Sequence, residues 1–120
     1  LLADNPLDRD FINKVNRIIE QNLDNPDFNV PFLCSEAAMG RTSLFAKIKG
    51  ITGQTPNEYI VSFRLKQAAL MLIHNPELNI SEIAYATGFG TPKYFAHCFG
   101  KQFGKSPTEF SRTTPAEPPT

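Results

Sequence analysis

The stretch Gly53-Gln54-Thr55-Pro56-Asn57-Glu58-Tyr59 returns later in the chain as Gly104-Lys105-Ser106-Pro107-Thr108-Glu109-Phe110. At the same offset, Leu44 and Ile48 fall opposite Phe95 and Phe99. In both copies a glycine closes one helix. Thr or Ser then caps the next, Pro takes its first position and Glu its third. This stop-and-restart signal, used twice, predicts one helical unit built twice.

Hydrophobic periodicity fills in the rest. Phe11, Ile12, Val15, Ile18, Ile19 and Leu23 recur at three- and four-residue steps, so residues 8–24 are expected to form an amphipathic helix, ended by Asn25-Pro26. Asn29 is placed to cap a short helix over 30–38, with Pro31 tolerated in its first turn and Leu33, Cys34 and Ala37 facing inward. After the break at Ala38-Met39-Gly40, a helix from Arg41 to Ile51 buries Leu44 and Ile48. The capping box at Thr55 launches a long helix over 56–74 that turns Tyr59, Ile60, Phe63, Ala68 and Leu72 inward.

Asn79 with Glu82 forms a further capping box for a helix over 80–87 that buries Ile80, Ile83 and Ala84. Gly88 is expected at positive φ in the next break. Thr91 and Pro92 then start a helix to Phe103, with Tyr94, Phe95, Phe99 and Phe103 on its core side. Ser106-Pro107 opens a last short helix with Phe110 tucked inward, and no alternating strand pattern remains. The predicted fold is all-α: two helix-turn-helix subdomains, 30–51 and 80–103, joined by a linker helix, about seven helices in all. Residues 1–7 read as a linker remnant, 8–112 as the domain and 113–120, rich in Pro and without an apolar stripe, as a disordered tail.

With 120 residues, 41% of them apolar, the chain is sized for one modest domain. No uninterrupted apolar run approaches the roughly 20 residues of a membrane span. The opening Leu1-Leu2-Ala3-Asp4 lacks a basic n-region, so it reads as a piece of something longer rather than a signal peptide. Cys34 and Cys98 fall inside apolar helical patterns, which favours small reduced thiols in a cytoplasmic protein over a disulfide. The net charge is zero, but residues 1–40 carry a net −4 and residues 41–112 a net +5. Acid in front and base behind is compatible with a polyanionic partner in a way the total conceals.

A short helix, a tight turn and a second helix with one polar face can present that face to the major groove of DNA, which is about one helix wide. Ile80-Ser81-Glu82-Ile83-Ala84, Gly88-Phe89, Tyr94-Phe95, Phe99, Phe103-Gly104 and Ser106-Pro107-Thr108-Glu109-Phe110 resemble the second half of the AraC/XylS-type DNA-binding domain. Met39-Gly40-Arg41-Thr42-Ser43-Leu44 through Thr52-Gly53-Gln54-Thr55-Pro56, with Arg64-Leu65-Lys66 and Ala68-Ala69, resemble its first half and linker helix. The match spans roughly residues 10–112. The wording at Pro92-Lys93-Tyr94-Phe95 and Asn57-Glu58-Tyr59 is similar to regulators fused behind a receiver domain, including hybrid two-component sensors.

The resemblance implies a bacterial transcription regulator whose two recognition helices enter successive major-groove segments of promoter DNA. On the first, Arg41, Thr42, Ser43, Phe45, Ala46, Lys47 and Lys49 face outward. Family base contacts match Thr42, Phe45 and Ala46. Where this chain has Ala46 the family often carries Arg, so apolar contact to a thymine methyl replaces guanine readout. Arg41, Lys47 and Lys49 are placed for phosphates. On the second, Thr91, Lys93, Ala96, His97, Lys101 and Gln102 face outward. His97 stands where the family commonly has Arg, and Gly100 where it commonly has Lys. Gly100 suggests close approach of another backbone at this point. Arg64 matches a family position that supports packing. Amides at the helix starts after Thr55, Thr91 and Ser106 are natural phosphate partners. Phe32 occupies a position where the pattern calls for a polar residue, which suggests a subunit or receiver contact.

Metal binding at His97 and Cys98 is disfavoured, because neighbours on a helix point about 100° apart. No catalytic constellation, phosphate loop or cofactor signature is present, so an enzyme is not expected. The competing expectation is a helical protein-interaction module with weak or lost DNA binding. The partners implied are promoter DNA, RNA polymerase and an upstream receiver or sensor. The domain itself is expected to be monomeric and free of membrane contact, within a dimeric parent.

Overall fold

A computed structural model of the chain describes residues 5–113. The start of the linker remnant and the tail from residue 114 lie outside the described residues. Seven helices follow in order among the described residues: α1 (Pro6–Gln21), α2 (Val30–Ala37), α3 (Arg41–Thr52), α4 (Pro56–His74), α5 (Ile80–Ala86), α6 (Pro92–Phe103) and α7 (Pro107–Thr113). They fall into two compact units. One comprises the chain to Leu23 and Asp27–Phe63, the other Asp24–Pro26 and the chain from Arg64. The long helix α4 is shared between them.

In the first unit α1 buries Ile12, Val15, Ile18 and Ile19. The last three meet Phe28, Leu33, Cys34, Ala37, Leu44, Ile48, Tyr59 and Ile60 in one core. Each such aliphatic side chain contributes about 1.5–3 kcal/mol on burial. Polar ties fix the helices around that core. The Lys14 ammonium donates to the Ala37 carbonyl at 3.3 Å, satisfying an end carbonyl of α2. The Tyr59 hydroxyl donates to Asn16 Oδ1 at 2.6 Å, joining α4 to α1. Burial raises the Tyr59 pKa, the Asn16 hydrogen bond opposing it.

The local signals act as their chemistry requires. Asn29 Oδ1 accepts from Phe32 N at 2.9 Å and caps α2. Thr55 and Glu58 exchange backbone-to-side-chain bonds at 3.2 and 2.9 Å, the reciprocal geometry of a capping box. The turn between α2 and α3 is built on Ala38 at φ 56°, the one non-glycine residue at positive φ among those described. Gly40, at φ −70°, serves instead as the N-cap of α3.

The second unit has an aromatic interior. Phe89 packs on Phe95 at 5.1 Å, Phe95 on Phe99 at 5.6 Å, and Phe99 on both Phe103 (4.5 Å) and Phe110 (5.3 Å), all tilted or edge-on. Those are the arrangements ring quadrupoles favour. Asn79 and Glu82 complete the second capping box at 2.8 and 2.9 Å. Gly88 takes φ 88°, as expected. Its carbonyl accepts from Arg64 Nη1 at 2.9 Å, while Nη2 donates to the Asn25 carbonyl at 3.0 Å. Arg64 is buried, and that burial lowers its pKa. Its guanidinium stays charged and serves as a structural clamp.

Several boundaries and orientations differ from the sequence expectation. The first helix spans Pro6–Gln21 rather than 8–24, because Asn5 caps it through Asp8 N. The second ends at Ala37, where Ala38 turns left-handed, the third extends to Thr52, and α5 stops at Ala86. Thr113, assigned to the tail, closes α7, its hydroxyl donating to the Glu109 carbonyl at 2.7 Å. Ile80 and Phe63 are half-buried rather than core. Tyr94, placed on the core side, is 50% exposed. It precedes Phe95, so a helix turns it about 100° away from that ring's direction.

Candidate nucleic-acid interface

Helix α3 begins at the Gly40 turn and is anchored by Leu44 and Ile48, both fully buried. Fixing those two positions exposes every residue of Arg41, Thr42, Ser43, Phe45, Ala46, Lys47 and Lys49. Phe45 stands 48% exposed. An open hollow of about 470 Å³ is lined by Arg41, Thr42, Phe45 and Ala46. A second, of about 450 Å³, shares Arg41 and Phe45 and reaches Thr55, Pro56 and Asn57 at the start of α4. Arg41 and Phe45 thus border two concavities, one of which ends at the first turn of α4, where the helix dipole is positive. The Lys47 ammonium lies 5.0 Å from the centre of the Phe11 ring of α1.

Helix α6 repeats the plan. Thr91 Oγ1 accepts from Tyr94 N at 3.1 Å, Pro92 starts the helix, and Phe95 and Phe99 are fully buried. Thr91, Lys93, Ala96, His97, Lys101 and Gln102 are exposed. The Thr91 oxygen is committed to capping, which leaves its hydroxyl proton for an external acceptor. A Cβ placed on Gly100 would meet nothing within 4 Å, so nothing inside the chain demands glycine there.

Tyr94 joins this face, contrary to the inward place expected of it. Its ring leans on Phe89 at 5.8 Å. Its pKa is raised, chiefly by a hydrogen bond with Cys98 one turn on, then by partial burial, with the Arg64 charge opposing. Wheel geometry around Phe95 and Phe99 was the available signal. The apolar look of a tyrosine hid it.

The two helices share one electrostatic property. Neither α3 nor α6, each 12 residues long, contains an Asp or Glu. The chain's acids lie elsewhere, with Glu58, Glu82 and Glu109 engaged as helix caps. Cys34 is buried, Cys98 half-buried, and both thiols are free. Phe32, 37% exposed, packs edge-on against Phe28 at 5.1 Å and borders a hollow with Asp27 and Glu36. No helix among the described residues is long and apolar enough to cross a membrane.

Comparison with known proteins places this geometry. A family model described as a helix-turn-helix domain matches residues 33–113. The chain is 43% identical over 104 residues to histidine kinase P4 of Formosa agariphila, covering 87% of this chain and 8% of the kinase. In structure it is similar to the C-terminal domain of AraT, a response regulator from Geobacillus stearothermophilus. That match has TM-score 0.79 and 25% identity, and covers 92% of this chain and 90% of that one. It is also similar to the DNA-binding domain of AdpA, a global transcriptional factor solved with a target DNA. Here the TM-score is 0.76 with 25% identity, covering 85% of this chain and 89% of that one.

Proposed function

Because the chain belongs to the AraC-type family of helix-turn-helix DNA-binding transcription regulators, we propose that it binds promoter DNA sequence-specifically, α3 and α6 entering successive major-groove segments. The observation that carries this reading is the pair of 12-residue helices whose outward faces are exposed and free of acid. Thr42, Phe45 and Ala46 read bases from α3. His97, Ala96 and Lys93 do so from α6. Arg41, Ser43, Lys47, Lys49, Thr91 and Lys101 hold phosphates, together with the Asn57 and Lys93 amides in the first turns of α4 and α6. With Phe45 and Ala46 at its centre, the first helix selects thymine methyls, and the second, through His97, selects hydrogen-bonding base edges.

In the parent protein this domain is the cytoplasmic output of an upstream receiver or sensor, acting as a dimer and engaging RNA polymerase. The names of the kinase and response-regulator relatives support the link to a sensor or receiver, and the chain spans only a small part of the kinase. Fluorescence anisotropy against salt, followed by selection from randomised duplexes, tests the reading. Affinity should fall by roughly 0.9 log units per tenfold rise in salt for each phosphate contacted, and a preferred sequence should emerge. The zero net charge and the absence of a basic residue at Ala46 and Gly100 favour the second reading, a protein-interaction module. That module would give no DNA complex at any salt.

A further inference from the structure

We propose that Phe11, on α1 and outside both helix-turn-helix units, is a positioning residue for DNA binding, its ring holding the Lys47 ammonium ready for a phosphate oxygen. This inference rests on Lys47 being a phosphate contact. The 5.0 Å between ammonium and ring centre lies inside the roughly 6 Å reach of a cation–π attraction. Phe11 is itself packed against the core of its unit, so the ring is a fixed platform rather than a second mobile side chain. Lys47 precedes buried Ile48 and therefore leaves α3 on its flank, away from the outward line of Thr42 and Ala46. A helix lying in a groove points its flanks at the phosphate ridges.

A free lysine surrenders much of its rotamer freedom on meeting a phosphate. One already resting on a ring has surrendered part of it beforehand. The ammonium has three N–H donors, so a ring on one side leaves others for oxygen. Three residues further along α1, Lys14 holds the end of α2 at the Ala37 carbonyl, and Asn16 receives Tyr59 of α4. Through Phe11, α1 also reaches α3. It thereby becomes part of the binding machinery, although it lies before the residues 33–113 matched by the family model.

The test uses this chain and a duplex of random sequence, since phosphate contacts need no operator. Lys47→Ala should lower affinity and reduce the salt slope by about 0.9. Phe11→Leu should weaken binding about two- to fivefold, a share of the ordering cost of one lysine side chain. Phe11→Tyr should restore it, and Phe11→Leu should add nothing in the Lys47→Ala background. If Lys47→Ala changes nothing, the reading of Lys47 as a phosphate contact falls. If Lys47→Ala weakens binding but Phe11→Leu has no effect, tightens binding, or costs the same in both backgrounds, the positioning role is overturned. Should Phe11→Leu not fold, proton NMR of the unaltered chain decides. The Lys47 ε-methylene should show an upfield ring-current shift with and without DNA, and its disappearance on binding would refute the proposal.

Discussion

At matching positions the first unit seals α3 with Leu44 and Ile48, while the second seals α6 with Phe95 and Phe99. The aliphatic pair joins a core shared by α1, α2, α3 and α4. The aromatic pair instead forms a continuous ring stack that runs from Phe89 to Phe110. Outward, the contrast reverses: α3 centres on Phe45 and Ala46, α6 on Lys93, Tyr94 and His97. The same caps and turns therefore frame two different interiors and two different outward faces. Repeated punctuation fixes where a helix lies. It does not fix what the helix packs against or presents outward.

The contrast can be broken or sharpened by substitution. Phe99→Ala removes a ring that touches Phe95, Phe103 and Phe110, and is expected to cost about 3–5 kcal/mol. Ile48→Ala should fall at the lower end of the roughly 2–5 kcal/mol range. Urea denaturation of both variants measures the difference, and equal losses would erase the distinction between the two cores. Arg64→Lys cannot reach the Gly88 and Asn25 carbonyls with a planar fork, so about 1.5–3 kcal/mol should be lost. An unchanged melting profile would remove the clamp from the second unit.

His97→Ala should relax base preference in one half-site by about 1–3 kcal/mol, with the α3 half-site unaltered. Randomised-site selection reports this directly, and an identical selected sequence would remove His97 from base readout. The turns give an opposed pair. Ala38→Gly should stabilise by about 0.4–1 kcal/mol because Ala38 is left-handed, whereas Gly88→Ala should destabilise by at least as much. Thermal melts with the same sign for both would contradict the assigned backbone.

The smallest effect concerns the cap of α4. Hydrogen bonding from Thr55, backbone N–H first and side chain next, holds the Glu58 carboxyl below its ordinary range, with a lesser contribution from Lys49. A depressed folded-state pKa adds stability that is present above the unfolded value and lost as pH falls through the folded one. Glu58→Gln should therefore lower stability slightly at neutral pH, leave strongly acid pH nearly unaltered, and so flatten the acid limb of the stability curve. An acid limb identical to that of the parent chain would show that Glu58 titrates as an ordinary carboxylate.

What the sequence determined by itself is everything governed by neighbours along the chain. Asn29, Thr55, Asn79 and Thr91 announce their helices because a cap bonds an amide only a few residues on. Leu44, Ile48, Phe95 and Phe99 announce the buried sides because helical spacing is periodic. Only the tertiary structure decided the rest. Lys47 meets Phe11, and Arg64 meets Gly88 and Asn25, across intervals of chain over which no periodicity carries information. Such pairings arise when cores condense and bring distant surfaces within a few ångströms, which is why no local pattern announces them.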